Sequence, residues 1–435
     1  MADHVLRLTG ATLADPTAGL FAPYDLRISD GAIEGLYPSG SLSGGKPGRE
    51  IDLRGCVLSP GFTDLHVHLR EPGGEENETI ETGLRAAAAG GFTTVCAMPN
   101  SSRIADDPEV IRSIVAKASR LALAELLPIA AATKGLAGME ITDMAALKTA
   151  GAAAFSDDGM PIADSAIMEE VLYRAKGLGL PVIDHCEDPG LKHNGLMHEG
   201  EISREIGLPG LTSVSEAAPI ARDLLLARHT GARLHIAHIS TREGVYLLGH
   251  ALRLGAAVSA EATPHHLRLT DGELRGLNTN AKVSPPLRSE EHRQAVAQAV
   301  SRGVITCIAT DHAPWSPESK ARPFAQAPNG ISGLETALAV AWDTLVVRGG
   351  MAPLDLLARF TLGPAAVLGR AAPSLAPGMA ANLTAVNLEM RKEVEPGSFY
   401  SKGKNSPFAG HTLQGWPVLT IYQGKVVMER GVVSG

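Results

Sequence analysis

Aromatic residues make up only 4% of this 435-residue chain, and cysteine is scarcer still, with four residues. So few rings leave a core to be filled by small and aliphatic side chains. Cys56, Cys96, Cys186 and Cys307 are widely spaced with no C-x-x-C pair, a pattern that suits reduced thiols better than a disulfide framework. Positive charge is not in excess: 39 Lys and Arg against 47 Asp and Glu give a net charge of −8, which argues against nucleic acid as a main partner. No apolar run approaches the roughly 20 residues that span a bilayer. The start, Met1–Gly10, lacks the basic-then-apolar layout of a signal peptide. There is no repeat of 20–50 residues and no low-complexity tract. These absences lead to the expectation of a cytoplasmic protein with neither membrane nor nucleic acid as partner.

What is present is an alternation. Short apolar runs at 61–69, 92–99, 126–133, 152–158, 180–188, 234–240, 257–264 and 305–311 are separated by Ala-rich amphipathic stretches. Helical patterns fall at 78–90, 108–123, 164–178, 216–230, 242–254 and 288–302. Eight strands alternating with helices predict a parallel α/β sheet closed as a (β/α)8 TIM barrel. An open doubly wound sheet would need a glycine-rich phosphate loop after the first strand, and Leu69–Gly74 is not G-x-G-x-x-G. The ends read differently. Val5–Leu8, Leu26–Ser29 and Ile51–Leu53 at one end, and 381–388 and 418–428 at the other, are short strand-like runs between turns. Each terminal piece is too small to fold alone. We expect 1–58 and 366–435 to pair into one small β-sandwich beside a barrel at 59–365, which ends in a helical segment near 352–369. Segment 314–333, polar and rich in Pro and Gly, reads equally as a lid over the site or as a surface excursion.

Metal-competent side chains recur where the apolar runs end. In a strand, residues i and i+2 face the same side, so His66, His68 and Arg70 can line one cavity. Asp157 and Asp158 close the fourth run, His185 the fifth, His238 the sixth, and Asp311 with His312 the eighth. A single such histidine is ordinarily a satisfied core residue, the reading favoured for His235 and applicable to His265 or His266. Five strand ends converging on one barrel face make that reading poor for the set. Four imidazoles and two carboxylates exceed what one tetrahedral zinc needs, and match two ions bridged by a shared ligand and a hydroxide. Imidazole and carboxylate donors suit Zn²⁺, with Mn²⁺, Co²⁺ or Fe²⁺ also compatible. Alternation turns Cys186 away from the site. Asp311 is the chosen proton shuttle, and hydrolysis of an acyl or amide bond is the expected chemistry.

The motifs DLHVHLREPG (64–73), GGFTTVCAMPN (90–100), FSDDG (155–159), DHCED (184–188), HIAHIST (235–241), EATPHHL (261–267), PPLR (285–288), ATDHAP (309–314) and GLET (333–336) run along nearly the whole chain. In these the chain resembles the bacterial class I dihydroorotases of the amidohydrolase superfamily. That resemblance implies reversible cyclisation of N-carbamoyl-aspartate to dihydroorotate in pyrimidine (UMP) biosynthesis. It implies one zinc on His66, His68 and Asp311, a second on His185 and His238, and Asp158 with a hydroxide as the bridge. Asp157 is the other bridge that position allows. Many cyclic amidohydrolases bridge their metals through a carbamylated lysine, and 152–159 holds no Lys. Arg70 and Asn100 would grip the substrate carboxylate, with His68 and Gly330 also against the substrate, and Asp311 would be the acid/base. A homodimer and association with aspartate transcarbamoylase are partners that the resemblance leaves open.

Three positions depart from the family pattern, all near the substrate. Ser284 stands where many relatives have Asn, Trp315 where His is common, and Asn329 where Phe usually precedes Gly330. Trp315 and Asn329 are expected to compensate each other in a repacked loop, the alternative being a changed substrate, while Ser284 is the milder departure because water can fill the gap. The rival readings are a hydantoinase- or allantoinase-like amidase and a catalytically silent subunit that scaffolds aspartate transcarbamoylase. The absent bridging lysine and the Arg70–Asn100 pair argue against the first. Retention of all six metal-ligand positions argues against the second.

Overall fold

The computed structural model describes residues 5–42 and 48–434; Met1–His4, part of the start read above for an export signal, lie outside the described residues, as do 43–47 and Gly435. Among the described residues no helix is long and apolar enough to cross a membrane. Eight parallel strands pair in chain order: Phe62–Val67, Phe92–Ala97, Glu125–Ala131, Ala154–Ser156, Val182–Asp184, Leu234–Ile236, Val258–Ala262 and Cys307–Ile308. Past the eighth strand the chain returns to the first and closes the ring. Val67 and His312 form a parallel bridge, His68 N–H donates to the His312 carbonyl at 2.7 Å, and Thr310 N–H donates to Asp64 Oδ1 at 3.1 Å. The (β/α)8 barrel is therefore the observed architecture.

The scarcity of rings is visible inside it. One cluster of the core is made of Leu65, Cys96, Met98, Ile129, Ala154, Ile183, Ala237, Cys307, Ala309, Val367 and Leu368, none of them aromatic. The surrounding helices start and stop on local chemistry. Pro108–Leu121 is capped by Asp107, whose side chain accepts from Glu109 N–H, with Pro at the first position and a left-handed Ala122 at the end. It buries Val110, Ile111, Ile114 and Ala118, one face at helical spacing, each larger side chain contributing about 1.5–3 kcal/mol. Two elements differ from the sequence expectation. The segment near 352–369 is two helices, Pro353–Phe360 and Leu362–Leu368, broken at Thr361. Ala337–Ala341 and the wider turn Trp342–Val347 form a further helical element in which Ala337 through Leu345 are all buried, so no polar face marks it in the sequence.

The two ends of the chain meet in one nine-stranded sheet. Leu6–Asp15 pairs antiparallel with Leu20–Ser29 and parallel with Val57–Pro60, which pairs antiparallel with Leu383–Glu393. Leu58 lies opposite Leu13 on one side and Ala385 on the other, and all three are fully buried. Leu8, Leu26, Ile28, Leu383 and Leu419 complete a core separate from that of the barrel. Gly61 then carries the chain from sheet to barrel: a Cβ there would meet Thr93 Oγ1 at 2.2 Å, so only glycine permits the approach. Because Val57–Pro60 is the shared strand, Leu58→Ala should lower stability by about 2–5 kcal/mol. Amide hydrogen exchange should accelerate in both Leu6–Ser29 and Leu383–Tyr422; acceleration on one side alone would contradict the link.

Candidate metal centre and active site

The strands are shorter than the apolar runs, and the polar side chains lie at or just beyond their carboxyl ends. His66 is within the first strand and His68 just past it; Asp158, His185, His238 and Asp311 follow the fourth, fifth, sixth and eighth. All six are buried. Asp158 is at their centre: its Oδ1 lies 3.3 Å from His66 Nε2, 3.5 Å from His185 Nδ1 and 4.0 Å from His238 Nε2, and its Oδ2 is 3.6 Å from His68 Nε2. Asp311 Oδ1 is 3.0 Å from His68 Nε2 and 3.6 Å from His66 Nε2. His185 Nδ1 and His238 Nε2 approach to 2.9 Å.

This donor set suits cations. His66, His68 and Asp311 form one group that could hold a metal, and His66, Asp158 and His238 form a second. His66 Nε2 and Asp158 Oδ1 are buried with no hydrogen-bond partner, although each faces other donor atoms. Burial opposes ionisation of Asp158, yet His66, His185 and His68 outweigh it and hold the carboxyl well below its ordinary range. Asp311 is likewise lowered against burial, by its hydrogen bond to His68 and the charges of His66, His68 and His238. Two buried carboxylates kept ionised require positive charge beside them, which the imidazoles can carry as protonated rings or by binding a divalent ion.

Alternation separates neighbours in sequence. Asp157 turns away from Asp158: its Oδ1 accepts from Ala132 and Thr133 N–H at 2.9 and 3.0 Å, and its Oδ2 accepts from the Thr133 hydroxyl. Cys186 also faces outward, its thiol donating to Asp184 Oδ2 at 2.8 Å. Asp184, Cys186 and Asp223 form a third cluster of ligand type, where Arg222 already provides a fork to Asp223 at 2.8 and 2.9 Å. His266 is a satisfied core histidine between Thr263 Oγ1 and the Pro285 carbonyl. The backbone is bent to aim the side chains: Arg70, His238 and Asp311 have φ of 59°, 29° and 47°. Such non-glycine positions cost roughly 1–3 kcal/mol each and persist where surrounding structure holds them.

Asn100 joins two of the groups, its Oδ1 2.8 Å from His68 Nδ1 and its Nδ2 donating to Asp158 Oδ2 and the Asp158 carbonyl at 2.9 and 3.2 Å. Arg70 lies beside the cage, its Nε donating to the Pro314 carbonyl at 3.2 Å. Ser284 Oγ donates to Glu187 Oε2 at 3.3 Å, two residues beyond His185 in sequence. Asn329 enters through its carbonyl, which accepts from the Trp315 indole, and Gly330 N–H donates to the Lys282 carbonyl at 2.9 Å.

The sequence reading missed Glu261. It lies in the seventh strand, fully buried, with Oε1 2.8 Å from His66 Nδ1 and Oε2 3.1 Å from His235 Nε2; His235 Nδ1 in turn is 2.8 Å from Ser259 Oγ. One proton assignment satisfies the chain. Both rings donate to Glu261, Ser259 O–H donates to His235, and His66 Nε2 keeps its lone pair for a metal. The Glu261 carboxyl is lowered to about 2, burial being outweighed by His235 and His66. A carboxylate within an otherwise apolar strand was the available signal.

A family profile described as Dihydro-orotase-like matches residues 55–244. The chain is 44% identical over 428 residues to a dihydroorotase of Pelotomaculum thermopropionicum, covering 98% of this chain and 99% of that one. It is 47% identical over 381 residues to a dihydroorotase of Bacillus caldolyticus, covering 88% and 89%. This chain belongs to the dihydroorotase family of the amidohydrolase superfamily. Among solved structures it resembles the L-hydantoinase (dihydropyrimidinase) of Arthrobacter aurescens, with a TM-score of 0.87 at 25% identity over 99% of this chain and 97% of the other. The fold is also shared with a D-hydantoinase from Thermus sp., with a TM-score of 0.85 at 22% identity over 99% and 96%.

Glu261→Gln tests the support behind His66. An amide cannot accept from both rings, so zinc affinity of the refolded apoprotein should fall about 10–100-fold with the circular dichroism spectrum retained. Unchanged zinc affinity would reduce Glu261 to a packing residue.

Proposed function

We propose that this protein is a zinc-dependent dihydroorotase that interconverts N-carbamoyl-L-aspartate and (S)-dihydroorotate for pyrimidine synthesis. The observation that carries the reading is Arg70, a guanidinium with a preference for carboxylates, beside a buried cage of four imidazoles and two carboxylates. The dihydroorotases that this chain resembles at 44% and 47% identity support the same substrate. We assign His66, His68 and Asp311 to one zinc, His185 and His238 to another, and Asp158 to both. Zinc held by these residues would lower the pKa of a bound water towards about 7 and would polarise the ring amide.

The chain's own groups do the rest. Arg70 binds the substrate carboxylate and so sets which ring carbonyl faces the cage. Asp311, kept ionised by the rings around it, accepts the proton of the attacking water. It returns that proton to the ring nitrogen as the carbon–nitrogen bond breaks. In the synthetic direction Asp311 removes a proton from the carbamoyl amine, the nitrogen attacks the side-chain carboxyl, and Asp311 passes that proton to the departing hydroxide, which leaves as water. Asn100 rests on His68 and Asp158, so its proposed substrate contact requires it to release one of those hydrogen bonds. A cyclic amide without a carboxylate would leave Arg70 unmatched, which favours dihydroorotate over hydantoin.

The test is turnover of dihydroorotate and N-carbamoyl-aspartate by zinc-loaded protein. Activity in both directions is expected, and Asp311→Asn should lower kcat by about 10²–10⁴-fold. Full zinc occupancy without turnover of either compound would reject the assignment.

A further inference from the structure

Trp315 replaces the histidine that the family pattern leads one to expect, and its surroundings show what it does instead. The Arg70 guanidinium carbon lies over the indole, 4.3 Å from its centroid, a cation–π contact. The indole cannot also hydrogen-bond a ligand, because its one donor, Nε1–H, is committed to the Asn329 carbonyl at 2.7 Å. Its backbone N–H donates to Asn405 Oδ1 at 3.0 Å. Asn405 Nδ2 then donates to the Gly330 carbonyl at 2.8 Å and the Ala313 carbonyl at 3.2 Å, tying both ends of the loop to the carboxyl-terminal segment. Buried Lys320 Nζ donates to the Pro328 and Gly330 carbonyls at 2.9 and 3.1 Å. Gly330 has φ 137°, and a Cβ there would lie 2.5 Å from the Ala313 carbonyl oxygen and 3.2 Å from Trp315 Nε1. The ring is therefore fixed from several sides before any ligand arrives.

Arg70 is fixed by that ring. Its Nε is held by the Pro314 carbonyl at 3.2 Å and its face by Trp315, and among the described residues its two terminal nitrogens have no hydrogen bond. A planar fork with one face covered, its inner nitrogen tied and its outer nitrogens open is prepared for a bidentate carboxylate. A flexible arginine would lose side-chain freedom on binding; here that freedom is already gone. We propose that Trp315 is a positioning residue for specificity in this chain, holding the Arg70 fork ready for the substrate carboxylate without touching the substrate by a hydrogen bond. Asn329 contributes through its carbonyl, so its side chain can differ from the family pattern. The inference rests on the dihydroorotase reading and adds how this chain meets the carboxylate with indole in place of imidazole.

The experiment is a double-mutant cycle on zinc-loaded enzyme, with kcat and KM for dihydroorotate measured separately. Trp315→Ala should raise KM about tenfold, the order of a desolvated cation–π contact, and move kcat less. Trp315→Phe, which keeps a stacking face and loses the N–H, should recover most of the loss. Arg70→Met should raise KM by about 10–100-fold, and adding Trp315→Ala to it should cost little more, since both act through one fork. Losses that add in full, a loss confined to kcat, or no recovery by Phe would overturn the role of Trp315 while leaving the dihydroorotase reading intact. A wild type that does not turn over dihydroorotate would remove that reading and this inference together.

Discussion

A carboxylate stripped of water must be met by positive charge, and Asp158 is met by imidazoles on several sides. Four rings from three strand ends lie within 4.0 Å of its two oxygens, and Oδ1 has no hydrogen bond of its own. Burying an ion without a partner costs several kcal/mol, so this arrangement needs cationic neighbours for Asp158, whether protonated rings or a bound divalent ion. The candidate metal site is thus part of the fold's charge balance. The barrel is the scaffold that brings strand ends from distant parts of the chain to one carboxylate.

The supporting structure has the same logic. Glu261 and His235 back His66 from inside the barrel, while Asn100 links His68 to Asp158. Asp64 holds the last strand to the first just below His66, accepting from the Thr310 and His66 amides. Behind Asp311, His312 shares the buried Glu78 carboxylate with Ser401, so the carboxyl-terminal segment reaches the turn that carries Asp311. Asn405 fixes the Trp315 loop from that same segment. The terminal pieces therefore do more than cover hydrophobic surface: residues near 401–405 brace the loop over Arg70.

Much of this was legible from residue patterns. The period-two placement of His66 and His68, and the polar residues at successive strand ends, required only alternation and barrel topology. Alternation also accounts for why Asp157 and Cys186 point elsewhere, although choosing Asp158 over Asp157 took the family resemblance. Other features were hidden for physical reasons. Glu261 finds its partners on the first and sixth strands, a contact no local pattern encodes. Ala337–Leu345 is buried all round and so lacks the periodicity that marks a surface helix. Trp315 was recognisable as a departure, but its partner Arg70 is far away in the chain, and only the closed barrel brings them together. The pairing of the two ends through Val57–Pro60 was likewise a matter of sheet order, which composition does not specify.

The most direct test of the account is anomalous diffraction at the zinc edge from crystals of the zinc-loaded protein. The account predicts two peaks about 3.5–4 Å apart, one between His66, His68 and Asp311, the other beside His185 and His238, with the Asp158 carboxylate touching both. A single peak, or two peaks with Asp158 bound to neither, would contradict it.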